Sequence, residues 1–233
     1  MTSLKFWKGA SYAYDRILTV ILVLILLIVG YCMYDNYWVY SHTLDDRVLR
    51  FKPTAEGYDP DESPITEDMV GWLTIDDTNI DYPVMQGEDN VKYLNTDPFG
   101  AYSLSGSIFL DNRNSSDFSD RYSLIYGHHM EYGKMFGALD DFLDEEYLKS
   151  HSKGELLVGR DGSVRYDLHI FASMRAGAHD KEVFNVGESG TLDFIRTKAE
   201  VMTEGPRGRI VALSTCANSG SVSRILVFCY IEE

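Results

Sequence analysis

No charged side chain occurs between Arg16 and Asp35, and residues 17–29 read ILTVILVLILLIV before the apolar character continues through Gly30, Tyr31, Cys32 and Met33. A run of this kind fits one helix across a bilayer: residues 17–34 reach about 26 Å at 1.5 Å per residue, close to the hydrocarbon thickness. Tyr31, Tyr34, Tyr37 and Trp38 fall where the outer interface would be, a layer that aromatic side chains favour. Lys5, Lys8 and Arg16 precede the run and acidic residues follow it, so the positive-inside rule puts residues 1–16 in the cytoplasm and everything beyond the anchor outside. No small-x-small cleavage pattern follows the run, and bulky Tyr31 before Cys32 argues against lipoprotein processing. We expect a single-pass protein of the cell membrane with its N-terminus inside.

About 200 residues remain beyond the anchor, enough for one domain with a sizeable core. The formal charge is −15; residues 1–34 hold Lys5, Lys8 and Arg16 against Asp15 and carry +2, which leaves −17 on the rest. Such a surface repels phosphate backbones, and no basic stripe interleaved with aromatics occurs, so no nucleic-acid partner is expected. The acidity reads as solubility.

Residues 35–52 place Trp38, Leu44, Val48 and Phe51 at helical spacing, which predicts a juxtamembrane helix. Pro53, Gly57, Pro60 and Pro64 then mark a linker, so 35–68 is taken as one connecting stretch and 69–233 as the folded domain. From Gly71 onward the texture is of short segments rich in β-branched and aromatic residues: 72–75, 80–84, 107–110, 122–126, 155–158, 164–173, 209–213 and 224–231. Eight strands separated by turn residues favour a mainly β fold, an antiparallel sheet closed into a barrel, because closure removes exposed edges. Helices are expected at 133–142, at 145–151 and at 188–202, the last with Leu192, Ile195, Ala199 and Met202 in one stripe.

Three cysteines are an odd number for an exported domain. Cys32 lies at the membrane boundary, and Cys229 alternates with Ile225 and Val227 as a small buried strand residue would. Cys216 is different: in IVALSTCANSG an apolar strand ends in small residues and enters a polar turn, where a rigid strand can present an accessible sulfur. A reactive thiol needs a partner that favours the thiolate. Of the six histidines, His128 and His129 follow a strand end and Gly127 in RYSLIYGHHMEYG, a setting parallel to that of Cys216. Arg224 begins the last strand, eight residues after Cys216, so an antiparallel return can bring its guanidinium back to stabilise an oxyanion. Asp140, Asp141, Asp144, Glu145 and Glu146 lack calcium-loop spacing, and neither a metal nor another cofactor is expected.

Taken together, strand–LSTC–loop–Arg–strand downstream of strand–YGHHM resembles the sortase family, cysteine transpeptidases that attach proteins to Gram-positive cell walls or polymerise pilins. The stretch GWLTIDDTNIDYPVMQGEDNVKYLNTDPFGAYSLSGSIFLDNRN, with YGHHMEYGKMFGALDDF and the helix expected before the cysteine strand, is most similar to class B members. The resemblance covers residues 69–231 and implies a closed eight-stranded sortase-type barrel with an N-terminal helical extension. It implies Cys216 as nucleophile, His128 as the acid that protonates the leaving amine, and Arg224 as the group that holds the carbonyl and its oxyanion. Asn90, Leu94, Tyr126 and Ser214 match sorting-signal contacts, and Thr215 can offer a hydroxyl or amide to the oxyanion.

The partners so implied are surface proteins carrying a C-terminal sorting signal, cleaved after Thr, and an amine acceptor, either a lipid-linked peptidoglycan precursor or a pilin Lys. A hydrolase that releases surface proteins and a silent, membrane-tethered binding module are the rival classes. The loop 217–223 carries no charge, whereas some class B members have a longer, more acidic one, so a different motif preference is expected.

Overall fold

The computed structural model describes residues 2–41, 46–177, 180–187, 190–205, 207–215 and 223–232. It consists of two units, Met1–Thr43 and Leu44–Glu233. The first is one helix, α1 (Thr2–Ser41). Within it the apolar part Ala10–Asp35 spans 26 residues, about 39 Å of helix, long and apolar enough to cross a membrane. The expected 35–52 helix is divided: α1 runs on to Ser41, and a separate 3-10 turn, Asp46–Phe51, buries Val48.

The second unit holds nine strands among the described residues. They are β1 (Met69–Ile75), β2 (Asp81–Met85), β3 (Ile108–Leu110), β4 (Tyr122–Gly127), β5 (Lys153–Val158), β6 (Val164–Gly177), β7 (Val201–Met202), β8 (Ile210–Thr215) and β9 (Ser223–Ile231). In hydrogen-bonding order β5-β1-β2-β3-β4-β8-β9-β6 closes on itself through β5–β6, and two-residue β7 adds to β6. This is the closed eight-stranded barrel, and the eight segments read as strands are its eight staves. Not all of its pairings are antiparallel as expected: β2–β3 and β4–β8 are parallel. Each of these needs a long crossover, supplied by the excursions between residues 85 and 108 and between 127 and 210.

Alternation along the strands sorts the core into two layers. Leu73, Ile75, Val84, Leu110, Ile125, Leu156, Ile170, Val211, Leu213, Val227 and Cys229 fill the barrel. Trp72, Tyr122, Leu124, Tyr126, Phe171, Ala212 and Phe228 form an outer apolar layer with Val183 and Ile195. Because both faces of β4 and β8 are covered, all six residues of each are buried, and their sequences read as apolar runs without a polar side.

Among the described residues three short α-helices accompany the barrel: α2 (Glu145–Ser150), α3 (Lys181–Phe184) and α4 (Thr191–Lys198). The helix expected over 133–142 is instead two 3-10 turns, Glu131–Gly133 and Gly137–Leu143. Left-handed backbone at Tyr132, Gly133 and Met135 breaks the run, and a Cβ on Gly137 would sit 1.9 Å from the Met130 carbonyl oxygen. The helix expected over 188–202 is shorter. Ala199 turns extended, and Val201 and Met202 pair with Ser173 and Ala172, so Met202 leaves the stripe and is exposed. Val201 at two-residue spacing from Ala199 joins the sheet, where its β-branched side chain is buried.

Candidate active site

Parallel β4 and β8 end side by side: the register runs Tyr126 to Ser214 and Gly127 to Thr215. His128 is the next residue on one strand. Cys216 is the next on the other and lies outside the described residues. Close packing explains the glycine before the histidine, since a Cβ on Gly127 would lie 2.4 Å from Ile108 Cδ1 and 2.8 Å from the Phe136 ring. The strand can therefore pass under Phe136 and release His128 at the rim.

His128 is half-buried, and its Nε2 lies 2.6 Å from the Leu94 carbonyl oxygen. A carbonyl only accepts, so Nε2 carries the proton and the ring is oriented by the chain segment at 92–94. The adjacent histidine behaves differently. His129 Nε2 is 2.9 Å from the Asp140 carboxylate on the following 3-10 turn, which ties its ring to the surface.

β9 returns antiparallel beside β8, with Leu226 opposite Ser214, and its second residue, Arg224, sits opposite Ala176 of β6. The Arg224 Nε is buried and has no hydrogen-bond partner among the described residues. Its guanidinium carbon lies 5.0 Å from the centre of the Phe184 ring. A half-buried cation with an unused Nε donor stands on the strand beside β8, the strand that leads into Cys216.

The remaining expected positions lie near the same strand ends, but several are engaged with the protein. Leu94 meets His128 through its carbonyl. Ser214 is buried and its hydroxyl donates to the Thr215 carbonyl oxygen at 3.2 Å, while the Thr215 Oγ1 accepts the Ile225 N–H at 3.0 Å. Tyr126 donates its hydroxyl to Asp111 Oδ2 at 3.1 Å; burial, reinforced by that carboxylate, pushes the phenol far above its ordinary value. Asn90 has both ends of its amide occupied, Nδ2 donating to Asp111 Oδ2 at 3.0 Å and Oδ1 accepting the Asn112 N–H at 2.8 Å.

Asp111, which the sequence reading passed over, is the hub of this face. Its carboxylate is fully buried and accepts from Arg113 Nε at 2.8 Å, Arg113 Nη2 at 2.7 Å and the Arg113 backbone N–H at 3.0 Å, besides Tyr126 and Asn90. Burial pushes its pKa up, but the Arg113 fork and the other donors together outweigh it and hold the carboxyl below its ordinary value. The available signal was an acidic residue closing the apolar strand in FLDNR, with an arginine two positions on. Farther along the same face, at the Tyr122 end of β4, lies a cavity of about 400 Å³ lined by Arg113, Asn114, Asp120, Arg121, Tyr122, Val186 and Gly187.

Residues 73–232 match the family model described as the sortase domain. The chain belongs to the sortase family. Sortases are cysteine transpeptidases, and among them this chain is most like class B. It is 42% identical over 112 residues to sortase B of Listeria monocytogenes, a match over 48% of this chain and 44% of that protein. With sortase B of Staphylococcus aureus it shares 27% identity over 236 aligned positions, covering 91% of this chain and 93% of the relative. The crystal structure of Spy0129, a Streptococcus pyogenes class B sortase involved in pilus biogenesis, superposes with a TM-score of 0.65 at 38% identity, over 72% of this chain and 94% of that one.

Proposed function

We propose that this sortase is held in the cell membrane by residues 17–34, with residues 1–16 inside, a connecting stretch 35–68, and the catalytic domain 69–233 outside, where it joins surface proteins to an amine. The Cys216 thiolate attacks the carbonyl carbon of a Thr in a C-terminal sorting motif, and the oxygen takes the negative charge within reach of Arg224. The tetrahedral adduct collapses, the C–N bond breaks, and the leaving amine takes a proton from His128. A thioester then links Cys216 to the substrate's Thr. An incoming amine attacks it, a second adduct releases the thiolate, and the proton lost by the nucleophile returns to His128. Amines attack thioesters far more readily than water does, so an enzyme that limits water at this step ligates instead of hydrolysing.

The observation that carries this reading is the pairing of Gly127 with Thr215, from which His128 and Cys216 each follow by one peptide unit, with Arg224 and its unused Nε on the neighbouring strand. One residue is about 3.8 Å of Cα path, so His128 and Cys216 follow in the chain from paired residues of adjacent strands. In this reading Leu94, whose carbonyl meets His128, borders the approach, buried Tyr126 and Ser214 and half-buried Asn90 support it from behind, and Thr215 adds a hydroxyl proton.

The acceptor is assigned to the amine of a lipid-linked peptidoglycan precursor. A specific observation favours a second reading, a pilin Lys, since the S. pyogenes relative at 38% identity is described as involved in pilus biogenesis. Product analysis separates the two. The full chain in detergent micelles is given a cleavable Thr-containing sorting peptide with oligoglycine, a pilin-type Lys peptide and water in competition. Wall anchoring predicts the oligoglycine conjugate, pilus assembly the isopeptide, and free acid alone would contradict transpeptidation.

A further inference from the structure

Arg224 is a long, flexible side chain whose buried Nε has no hydrogen-bond partner among the described residues, so no bond from that atom fixes where the guanidinium points. What lies against it is the ring of Phe184, with 5.0 Å from the guanidinium carbon to the ring centre, inside the range of a cation–π contact. Phe184 is the last residue of α3, a four-residue helix, and is half-buried against the outer apolar layer. The segment owes its position to hydrogen bonds on its carbonyls. Arg113 Nη2 donates to the Phe184 carbonyl oxygen at 2.7 Å and Nη1 to Asn185 Oδ1 at 3.0 Å. Tyr122 donates its hydroxyl to the Val183 carbonyl at 2.9 Å, and Thr191 donates to the Glu182 carbonyl at 2.7 Å. Arg113 is in turn gripped by buried Asp111.

We infer that Phe184 is a positioning residue for the reaction: its ring is the platform on which the Arg224 guanidinium rests, and the Asp111–Arg113 pair is the clamp that holds the platform in place. This rests on the reading of Arg224 given above. The planar guanidinium stacks on an aromatic face without spending its N–H donors, which leaves them for the oxyanion. The cation is also kept in a partly dry setting, where its interaction with developing charge is strongest. The arrangement ties the site to the segment that covers the outer face, since displacing Phe184 would free the arginine.

The test is a double-mutant cycle on the full chain in detergent micelles, reading the acylation rate of Cys216 by intact-mass spectrometry with one Thr-containing sorting peptide, and thermal melts to show that each variant is folded. Phe184→Leu keeps an apolar side chain but removes the aromatic face, and the acylation rate should fall about 2- to 30-fold. Phe184→Tyr should restore the rate to near that of the unaltered chain. In an Arg224→Lys background, Phe184→Leu should change the rate by less than about 2-fold, because the platform acts through the guanidinium. Effects of Phe184→Leu and Arg224→Lys that multiply, or a Tyr variant as slow as the Leu variant, would overturn the inference. A normal rate in Arg224→Lys alone would overturn the Arg224 assignment itself, and this inference with it.

Discussion

Truncating Asp111 to Ala should destabilise the domain far more than a surface substitution, and the size of the effect follows from what its carboxylate holds. The change strands the Tyr126 hydroxyl, which is 8% exposed at the residue level, and leaves the Arg113 fork, 43% exposed, without its counter-charge. A stranded buried hydroxyl costs about 1–3 kcal/mol. Removing one partner of a buried ion pair costs about 3–5 kcal/mol, a figure reduced here because solvent reaches Arg113. The two overlap, so a total of about 3–5 kcal/mol is expected. In a domain of about 190 residues each kcal/mol moves Tm by about 2–4 °C, so melting of the full chain in micelles should fall by roughly 6–20 °C. The same pair gives a pH signature. Because the native carboxyl titrates below its ordinary value, its stabilisation is complete above the unfolded value near 4 and is lost as pH falls through the depressed native one. The gap in Tm between the unaltered chain and Asp111→Asn should stay constant from about pH 8 to 5 and close below about pH 4. A drop of under about 3 °C for Asp111→Ala, or a gap that closes near neutrality, would show that the Asp111 carboxylate does not hold this face together.

Other outcomes follow from the same geometry. Gly127→Ala forces a methyl to within 2.4 Å of Ile108 Cδ1, so it should cost about 1–3 kcal/mol in a melt and slow acylation by displacing His128. His128→Gln should all but abolish transfer, whereas His129→Gln, which breaks only the surface contact with Asp140, should leave steady-state turnover within about 2-fold. Under native alkylation with iodoacetamide, peptide mapping should find Cys216 modified and Cys229 untouched, because Cys229 is fully buried and its thiol is pushed far above the ordinary value by desolvation.

The barrel was legible because β-branched and aromatic runs separated by turn residues report strands directly, and each of the eight segments became a stave. What did not show was which strand lies beside which. The parallel β4–β8 neighbours are about 85 residues apart, and an apolar run buried on both faces gives no directional signal. The short helices were misjudged where left-handed residues such as Met135, or a strand-forming Val201, interrupt an apparent period. At the site, strand ends with a His and an Arg could be read from local pattern. Asp111 left only a faint local signal, the arginine two positions on, because FLDNRN has the composition of an ordinary exposed turn and its burial depends on Tyr126 and Asn90 converging from elsewhere in the chain. Asn90 shows the converse: matched as a substrate contact, its amide is already occupied by Asp111 and Asn112.

The proposed reaction stands on a covalent thioacyl intermediate on Cys216. The direct measurement is acid-quenched peptide mapping of the full chain in micelles after incubation with a library of Thr-containing sorting pentapeptides and no added amine. An acyl adduct on the peptide containing Cys216, released by hydroxylamine and absent from Cys216→Ala, is the expected result. Peptide cleavage that persists in Cys216→Ala, or an adduct located on a different residue, would contradict it.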